Sequence, residues 1–438
     1  MRPRLSTGRK GNHTVASFEF WGGLGVIGSS KIMVTGGGHR VLLDIGLDIP
    51  HGANLFRPPV AERRASVLAD RLRVGGAPAM PGVYDPAALE PGHPLAAPVG
   101  DGTSVFVSHP HIDHVGLAGF VRPDVPVYAH ADAVDLLGAL SATGAGLPGG
   151  DPVWQRMNGG DTVAVGPMRV ECVPVDHDVP GACGYLVHTD AGTLAYTGDI
   201  RFHGRHPERS WAFAERAAGC DVLVTEATTL SFPVADGEMR TEVDTIDSFV
   251  DSLGATGLVL LSMYPRDVER VAEFIDTARS VGRTIMWPES TREFLALLGV
   301  DVDSPSLADV RAKPASFVVQ PDMADLPSLL DLPLSGGEPF LHANGEPLGE
   351  FDPRWPVFAD WLAKLGLVLH RIGSSGHASP EHLHEFVERV APRIVCPIHT
   401  FEPARLYPPR AIRRVIPRYG THYAFDGSVS PLSPVPAR

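Results

Sequence analysis

Apolar and polar positions alternate over the first fifty residues. Val15-Ala-Ser-Phe-Glu-Phe-Trp21 alternates, a glycine-rich turn spans Gly22 to Gly28, and Lys31 to Thr35 and Arg40 to Asp44 flank the turn Gly36-Gly-Gly38. The pattern predicts strands joined by tight turns. From about Pro50 to Gly102 the composition shifts to Pro, Gly, Ala and Arg, with one helical patch near Ala61 to Leu72. Insertions of this length commonly act as lids or binding loops, so 51–102 is read as an insertion or lid. Thr103 to Ser108, Thr162 to Val165, Met168 to Val175, Gly184 to His188 and Thr193 to Tyr196 read as further strands. Beyond Glu226 the period changes. Glu242 to Leu253 and Val268 to Val281 read as helices, with Gly257 to Ser262 and Arg283 to Trp287 as strands. This alternation over 220–360 predicts an α/β unit with a parallel sheet. Strand Leu367 to His370, helix Pro380 to Val390 and strand Arg393 to Cys396 follow.

Composition narrows the class. The 438 residues are 44% hydrophobic and 20% charged, as in a soluble globular chain of two domains or one with a large insertion. No apolar stretch approaches the roughly 18 residues that span a bilayer. The basic start has no apolar segment after it, so 1–14 is read as a disordered leader and not a secretory signal. Four scattered cysteines without a CxxC pair argue against a disulfide framework and for the cytoplasm. A net charge of −14 disfavours a bulk electrostatic grip on nucleic acid but leaves room for a local basic groove.

The candidate chemistry centres on Ser108-His-Pro-His-Ile-Asp-His-Val-Gly116. In an extended run, residues two apart face one side, so His109 and His111 can share one ion, while Asp113 and His114 turn towards a neighbouring site. Imidazole with carboxylate suits zinc or manganese. His177, Asp199 and His399 each follow a predicted strand. A lone histidine there is more often a surface or structural residue. Beside the 109–114 cluster the set points to metal-assisted hydrolysis, because a carboxylate can bridge two cations about 3.5–4 Å apart that share an activating hydroxide.

From about Ser17 to Pro403 the chain resembles the metallo-β-lactamase superfamily, and within it the β-CASP nucleases, in the manner of a shortened ribonuclease J. His109 to His114 matches the superfamily's signature motif, His177 its third motif and Asp199 its bridging carboxylate. Asp44 falls where the first motif places an aspartate that supports the ligands. Val224-Thr-Glu-Ala-Thr-Thr229 resembles motif A, Ser374-Ser-Gly-His-Ala378 motif B and Pro397-Ile-His399 motif C. Two departures stand out: Asp178-Val-Pro-Gly-Ala182 replaces a Ser-Ile-Pro type run, and Gly373 replaces a histidine before the motif B serine.

The resemblance implies an α/β fold, an αββα sandwich with an inserted β-CASP-like α/β domain. The sandwich would span 15–220 and 366–438, with 221–365 as the insert. It implies two zinc ions, with manganese as the other choice. His109, His111 and His177 would hold one; Asp113, His114 and His399 the other; Asp199 would bridge. His377 would contact the phosphate or protonate the leaving oxygen, Glu226 would orient His377 or His399, and Asp113 would act as ligand within the reacting centre. Ser375, Arg266, Arg270, Arg283 and the arginines from Arg405 to Arg418 are candidate substrate contacts; a solvated basic face explains each arginine as well. Trp21, Trp154, Trp287 and Tyr264 could stack on bases, though aromatics are more often core. Single-stranded RNA is the expected partner, with endo- or 5′-exonucleolytic action and a homodimer left open, and no membrane involvement. A DNA nuclease and a hydrolase of a small ester, lactone or thioester are the alternatives. A non-catalytic RNA-binding homologue is disfavoured by the complete ligand set.

Overall fold

A computed structural model describes residues 15–47, 56, 60–233, 239–254, 256–350 and 352–432. The 1–14 leader and residues 51–55 and 57–59 of the expected insertion lie outside the described residues. The chain opens with β1 Ser17–Gly22, β2 Lys31–Gly36, β3 His39–Leu43, β4 Gly102–Val107, β5 Val127–His130 and β6 Trp154–Met157. Next come β7 Thr162–Val165, β8 Met168–Pro174, β9 Cys183–Thr189, β10 Gly192–Tyr196 and β11 Val222–Glu226. Then follow β12 Val259–Met263, β13 Thr284–Met286, β14 Phe317–Val319, β15 Pro339–Ala343 and β16 Val368–Arg371. The last strands are β17 Ile394–Ile398, β18 Arg413–Arg414, β19 Thr421–Ala424 and β20 Val429–Pro431.

Two large sheets form a sandwich. One runs β20-β19-β1-β2-β3-β4-β5-β6 and the other β18-β17-β11-β10-β9-β8-β7. Strict alternation decides which side chains meet between them. Ile32, Val34, Val41, Leu43 and Phe106 point inward against Tyr185, Val187, Leu194, Val222, Val224 and Cys396. Their neighbours Met33, Leu42, Val105 and Val107 point outward onto the helix Ala131–Ala142. The far face of the second sheet carries the helices Pro207–Arg216 and Pro380–Val390 through Phe213, Leu383, Phe386 and Val387. The layers are helix, sheet, sheet, helix.

A third sheet, β13-β14-β12-β15-β16, is parallel throughout. Helices Glu242–Leu253 and Val268–Ser280 cover one face and Trp355–Leu365 the other. Thr241 and Asp244 close a reciprocal cap at the start of the first of these helices, which fixes its N-terminus.

One expectation changes. The strand Val368–Arg371, assigned to the closing part of the sandwich, pairs with Pro339–Ala343 at the edge of the third sheet. A division that keeps this sheet whole ends the insert after Arg371, not at 365. The described part of 51–102 forms the helix Val67–Val74 and then packs Met80, Val83, Tyr84 and Leu95 onto the outer face of the first sheet. Asp85 N donates to Phe120 O, and Arg40 Nη1 to Pro81 O. These residues cover a sheet, and none of them belongs to the ligand clusters described below.

Phe249 and Phe274 stack with centroids 4.1 Å apart in the apolar layer of the insert. Phe274→Ala is expected to cost about 3–5 kcal/mol in urea unfolding, and a loss below about 1 kcal/mol would contradict this packing.

Candidate metal centre

The site collects where strands end. Asp44 follows β3, His109 follows β4, His177 lies just beyond β8, Asp199 beyond β10, Glu226 closes β11 and His399 follows β17. His109 and His111 belong to extended chain, whereas Asp113 and His114 lie in the one-turn helix Ile112–Val115. That change of backbone splits the motif between two ligand sets. Among the described residues, donor atoms of His109, His111, His177 and Asp199 lie within 4.8 Å of one another, as do those of Asp113, His114, Asp199 and His399. Asp199 belongs to both. Gly28, at φ +91, passes so close that a Cβ there would sit 2.6 Å from Asp113 Oδ2.

The donor spacing is that of ligands around ions. His111 Nδ1 lies 3.1 Å from His109 Nε2 and 3.2 Å from His177 Nε2. His399 Nε2 lies 3.3 Å from His114 Nε2 and 3.1 Å from Asp113 Oδ2. Two ligands about 2.0–2.1 Å from one tetrahedral ion stand roughly 3.3–3.4 Å apart. Asp199 Oδ1 is buried without a hydrogen-bond partner. The donor set and this orphaned oxygen fit divalent cations.

Outer hydrogen bonds aim the rings. His177 Nδ1 donates to Gly376 O at 2.6 Å, His114 Nδ1 to Asp44 Oδ2 at 2.6 Å and His399 Nδ1 to Thr228 Oγ1 at 2.8 Å. Ser108 Oγ lies 3.0 Å from His109 Nδ1. Each of these four rings thereby turns Nε2 inward. Asp44 also accepts from Ser108 N, Ser108 Oγ and the Tyr196 hydroxyl. Asp44 and His399 hold left-handed backbone, at φ 59 and 57, and such strain persists only where the surroundings impose it.

Charge within the cluster favours cations. Burial opposes ionisation of Asp113 and Asp199, but neighbouring imidazoles outweigh it and hold both below the usual carboxylate range. Burial also opposes a charge on His114, and Asp199, Asp113 and Asp44 overcome it, so its pKa stands well above the ordinary value. Burial dominates at His111, pushing it down to about 4, and lowers His109 and His177 as well.

A family model described as a β-lactamase superfamily domain matches residues 78–260. A crystal structure titled as a protein of unknown function from Enterococcus faecalis V583 superposes with TM-score 0.79 and 26% identity, over 94% of this chain and 100% of that one. This chain has the metallo-β-lactamase fold. It is similar to ribonuclease J of Mycobacterium tuberculosis, 29% identical over 221 residues, covering 47% of this chain and 38% of that one. Ribonuclease J of Mycolicibacterium smegmatis is 25% identical over 364 residues, covering 73% and 63%. Each match spans less than two thirds of the relative's length.

On this metallo-β-lactamase frame His377 stands over the ligand clusters. Its Nδ1 is 3.5 Å from Glu226 Oε1 and 3.7 Å from Asp199 Oδ2, and its side chain is 24% exposed. Burial opposes its charge, yet Glu226 and Asp199 raise its pKa to about 9. Glu226 accepts from Thr228 N at 2.8 Å and Ala378 N at 3.2 Å, so it braces the surroundings of both His399 and His377. Ser375 Oγ accepts from His377 N at 3.1 Å and thus ties down its own loop.

The arginine expectations need correction. Arg283 is buried and donates to Gly257 O and Phe317 O inside the insert, so it presents nothing to a substrate. Arg270 is fully buried, paired with Glu242 and Asp267, and donates to Ser374 O at 3.3 Å. Arg201 pairs with the same Glu242 and donates to Ser375 O. Both arginines position the motif B loop through its carbonyls. Arg266 is half-buried over the Tyr264 ring, which lies 5.6 Å from the His111 ring, so these two do border the cluster. Arg405 and Arg414 are tied to the carbonyls of Leu230 and Ala404. Trp287 is core, Trp154 packs against it, and Trp21 donates to Glu19.

Sequence reasoning missed Thr228, Arg201, Glu242 and Asp178. Asp178 had a visible signal, since it departs from the family's run after His177. Glu242 and its arginines had none, because their pairing joins residues 28 and 41 positions apart. Asp44→Asn is expected to weaken metal binding about 10–100-fold in chelator competition, and unchanged affinity would contradict the support role of Asp44.

Proposed function

We propose that this chain is a metal-dependent phosphodiester hydrolase that cleaves single-stranded RNA, using two divalent ions, zinc or manganese. The observation that carries this reading is Asp199, shared by two ligand sets with His377 3.7 Å away. The resemblance to ribonucleases J supports RNA as the substrate class. Two bound cations would lower the pKa of a shared water and offset charge on phosphate oxygens. The chain's own residues do the rest. His377, kept protonated by Glu226 and Asp199, hydrogen-bonds the phosphoryl group or hands a proton to the leaving oxygen. Glu226 keeps that ring in place. Arg201 and Arg270 hold the motif B loop rigid, so the proton donor does not drift. Tyr264 and Arg266 form the rim nearest the incoming strand. The free, buried cysteines fit a reducing compartment. No helix among the described residues is long and apolar enough to cross a membrane.

A second reading has its own support. Arg270 and Arg283 are committed to the interior and the net charge is −14, which favours a small ester, lactone or thioester substrate.

Purified protein with labelled single-stranded RNA and DNA, 5′-phosphorylated or not, and zinc or manganese tests the choice. RNA cleavage that stops on chelation is expected, and end-labelled products tell endo- from exonucleolytic action. Turnover of an ester or lactone with no nucleic acid cleaved would overturn the nuclease reading. His377→Ala should keep its metals and lose about 10²–10⁴-fold in turnover; metal loss in that variant would contradict the role given to His377.

A further inference from the structure

We propose that Asn344 is a positioning residue: its side-chain amide holds the carbonyl of Ser374 and through that loop sets His377 over the metal centre. The inference rests on the role given to His377 above. Parallel strands β15 and β16 bring the two segments together, with His342 opposite Arg371 and Ile372 N donating to His342 O. Asn344 and Gly373 then meet just beyond the ends of these strands. A Cβ at 373 would come within 2.3 Å of Asn344 Oδ1 and 2.7 Å of its Cγ. The amide thus fills the space that a side chain at 373 would need, at the position where the sequence departs from motif B.

The backbone imposes the place of this amide. Asn344 holds left-handed φ of 61, a conformation that asparagine adopts more readily than most residues. It bridges to Met263 at the end of β12, and a Cβ on the following Gly345 would meet Ser262 Oγ at 2.0 Å. From this fixed turn Asn344 Nδ2 donates to Ser374 O, which also accepts from Arg270 Nη2 at 3.3 Å. The Ser374 hydroxyl is buried without a hydrogen-bond partner, so the residue is held by its carbonyl. Arg270 is shared with Glu242 and Asp267, so without Asn344 that carbonyl keeps one long contact. The next two carbonyls are gripped as well. Ser375 O accepts from His203 Nε2 at 3.0 Å and Arg201 Nη1 at 3.4 Å, and Gly376 O from His177 Nδ1 at 2.6 Å. Three successive peptides are fixed immediately before His377, and Asn344 secures the first of them.

Two variants test this. Asn344→Gly keeps the left-handed backbone and removes the amide, and Asn344→Asp keeps the shape and removes the donor. Each is expected to lower kcat about 10–100-fold on the substrate that wild type turns over, with KM and metal content unchanged. Added to His377→Ala, Asn344→Gly should cost less than about threefold more, because its effect passes through that ring. Losses that multiply in the double variant, or wild-type kcat in both single variants, would overturn the proposal. A crystal structure of Asn344→Gly reads the same claim without turnover. His377 Nδ1 should leave the 3.5 Å it keeps to Glu226 Oε1 and the 3.7 Å to Asp199 Oδ2, and an unmoved ring would sink the idea. Wild type that cleaves no RNA would contradict the nuclease reading, a different result from an unmoved His377 in the variant.

Discussion

A single buried carboxylate organises this molecule. Asp199 is 2% exposed and has five imidazoles within 4.0 Å: His109, His114, His177, His377 and His399. An ionised carboxylate withdrawn from water costs several kcal/mol unless cations surround it. The fold meets that demand from several directions. His109 and His114 come from the end of a first-sheet strand, and His177 and His399 from ends of second-sheet strands, with Asp199 itself on the second sheet. The centre therefore exists only when the sandwich has closed, and closing it brings His114, whose pKa the carboxylates raise, to 3.3 Å from Asp199.

The inserted unit reaches the same point by another route. Glu242, at the start of a helix of the insert, accepts from Arg201 of the sandwich and from Arg270 of the next helix. Those arginines in turn hold the carbonyls of Ser375 and Ser374, two and three residues before His377. A buried ion-pair network of this kind contributes little net stability but fixes orientation. Here it sets the height of His377 over Asp199. Arg270 of the insert acts on the site through the backbone and not through substrate.

Much of this was readable in the chain and some was not, for separable reasons. The cluster from His109 to His114 is local, so four ligand-type residues in six positions announce themselves. Helix Glu242–Leu253 was legible because its apolar period and its Thr241/Asp244 cap agree. Strand ends carrying His177, Asp199 and His399 were visible one by one, whereas their convergence depends on pairings such as β11 with β17, 172 residues apart at Val222 and Ile394. The errors share a cause. A charged residue such as Arg270 or Arg283 reads as surface unless its buried partner is known, and that partner is remote in sequence. Val368–Arg371 was given to the wrong sheet because a short strand does not name its neighbour. Asp178 stood out only as a departure from a pattern; its approach to His177, at 3.3 Å, depends on the fold.

The centre stands or falls on how Asp199 is used once cations are present. A crystal structure of the metal-loaded protein, with anomalous scattering recorded to place the ions, measures this directly. Two ions about 3.5–4 Å apart, with Asp199 bound to both, is the predicted result. A single ion, or two ions that leave Asp199 unbound, would contradict the account.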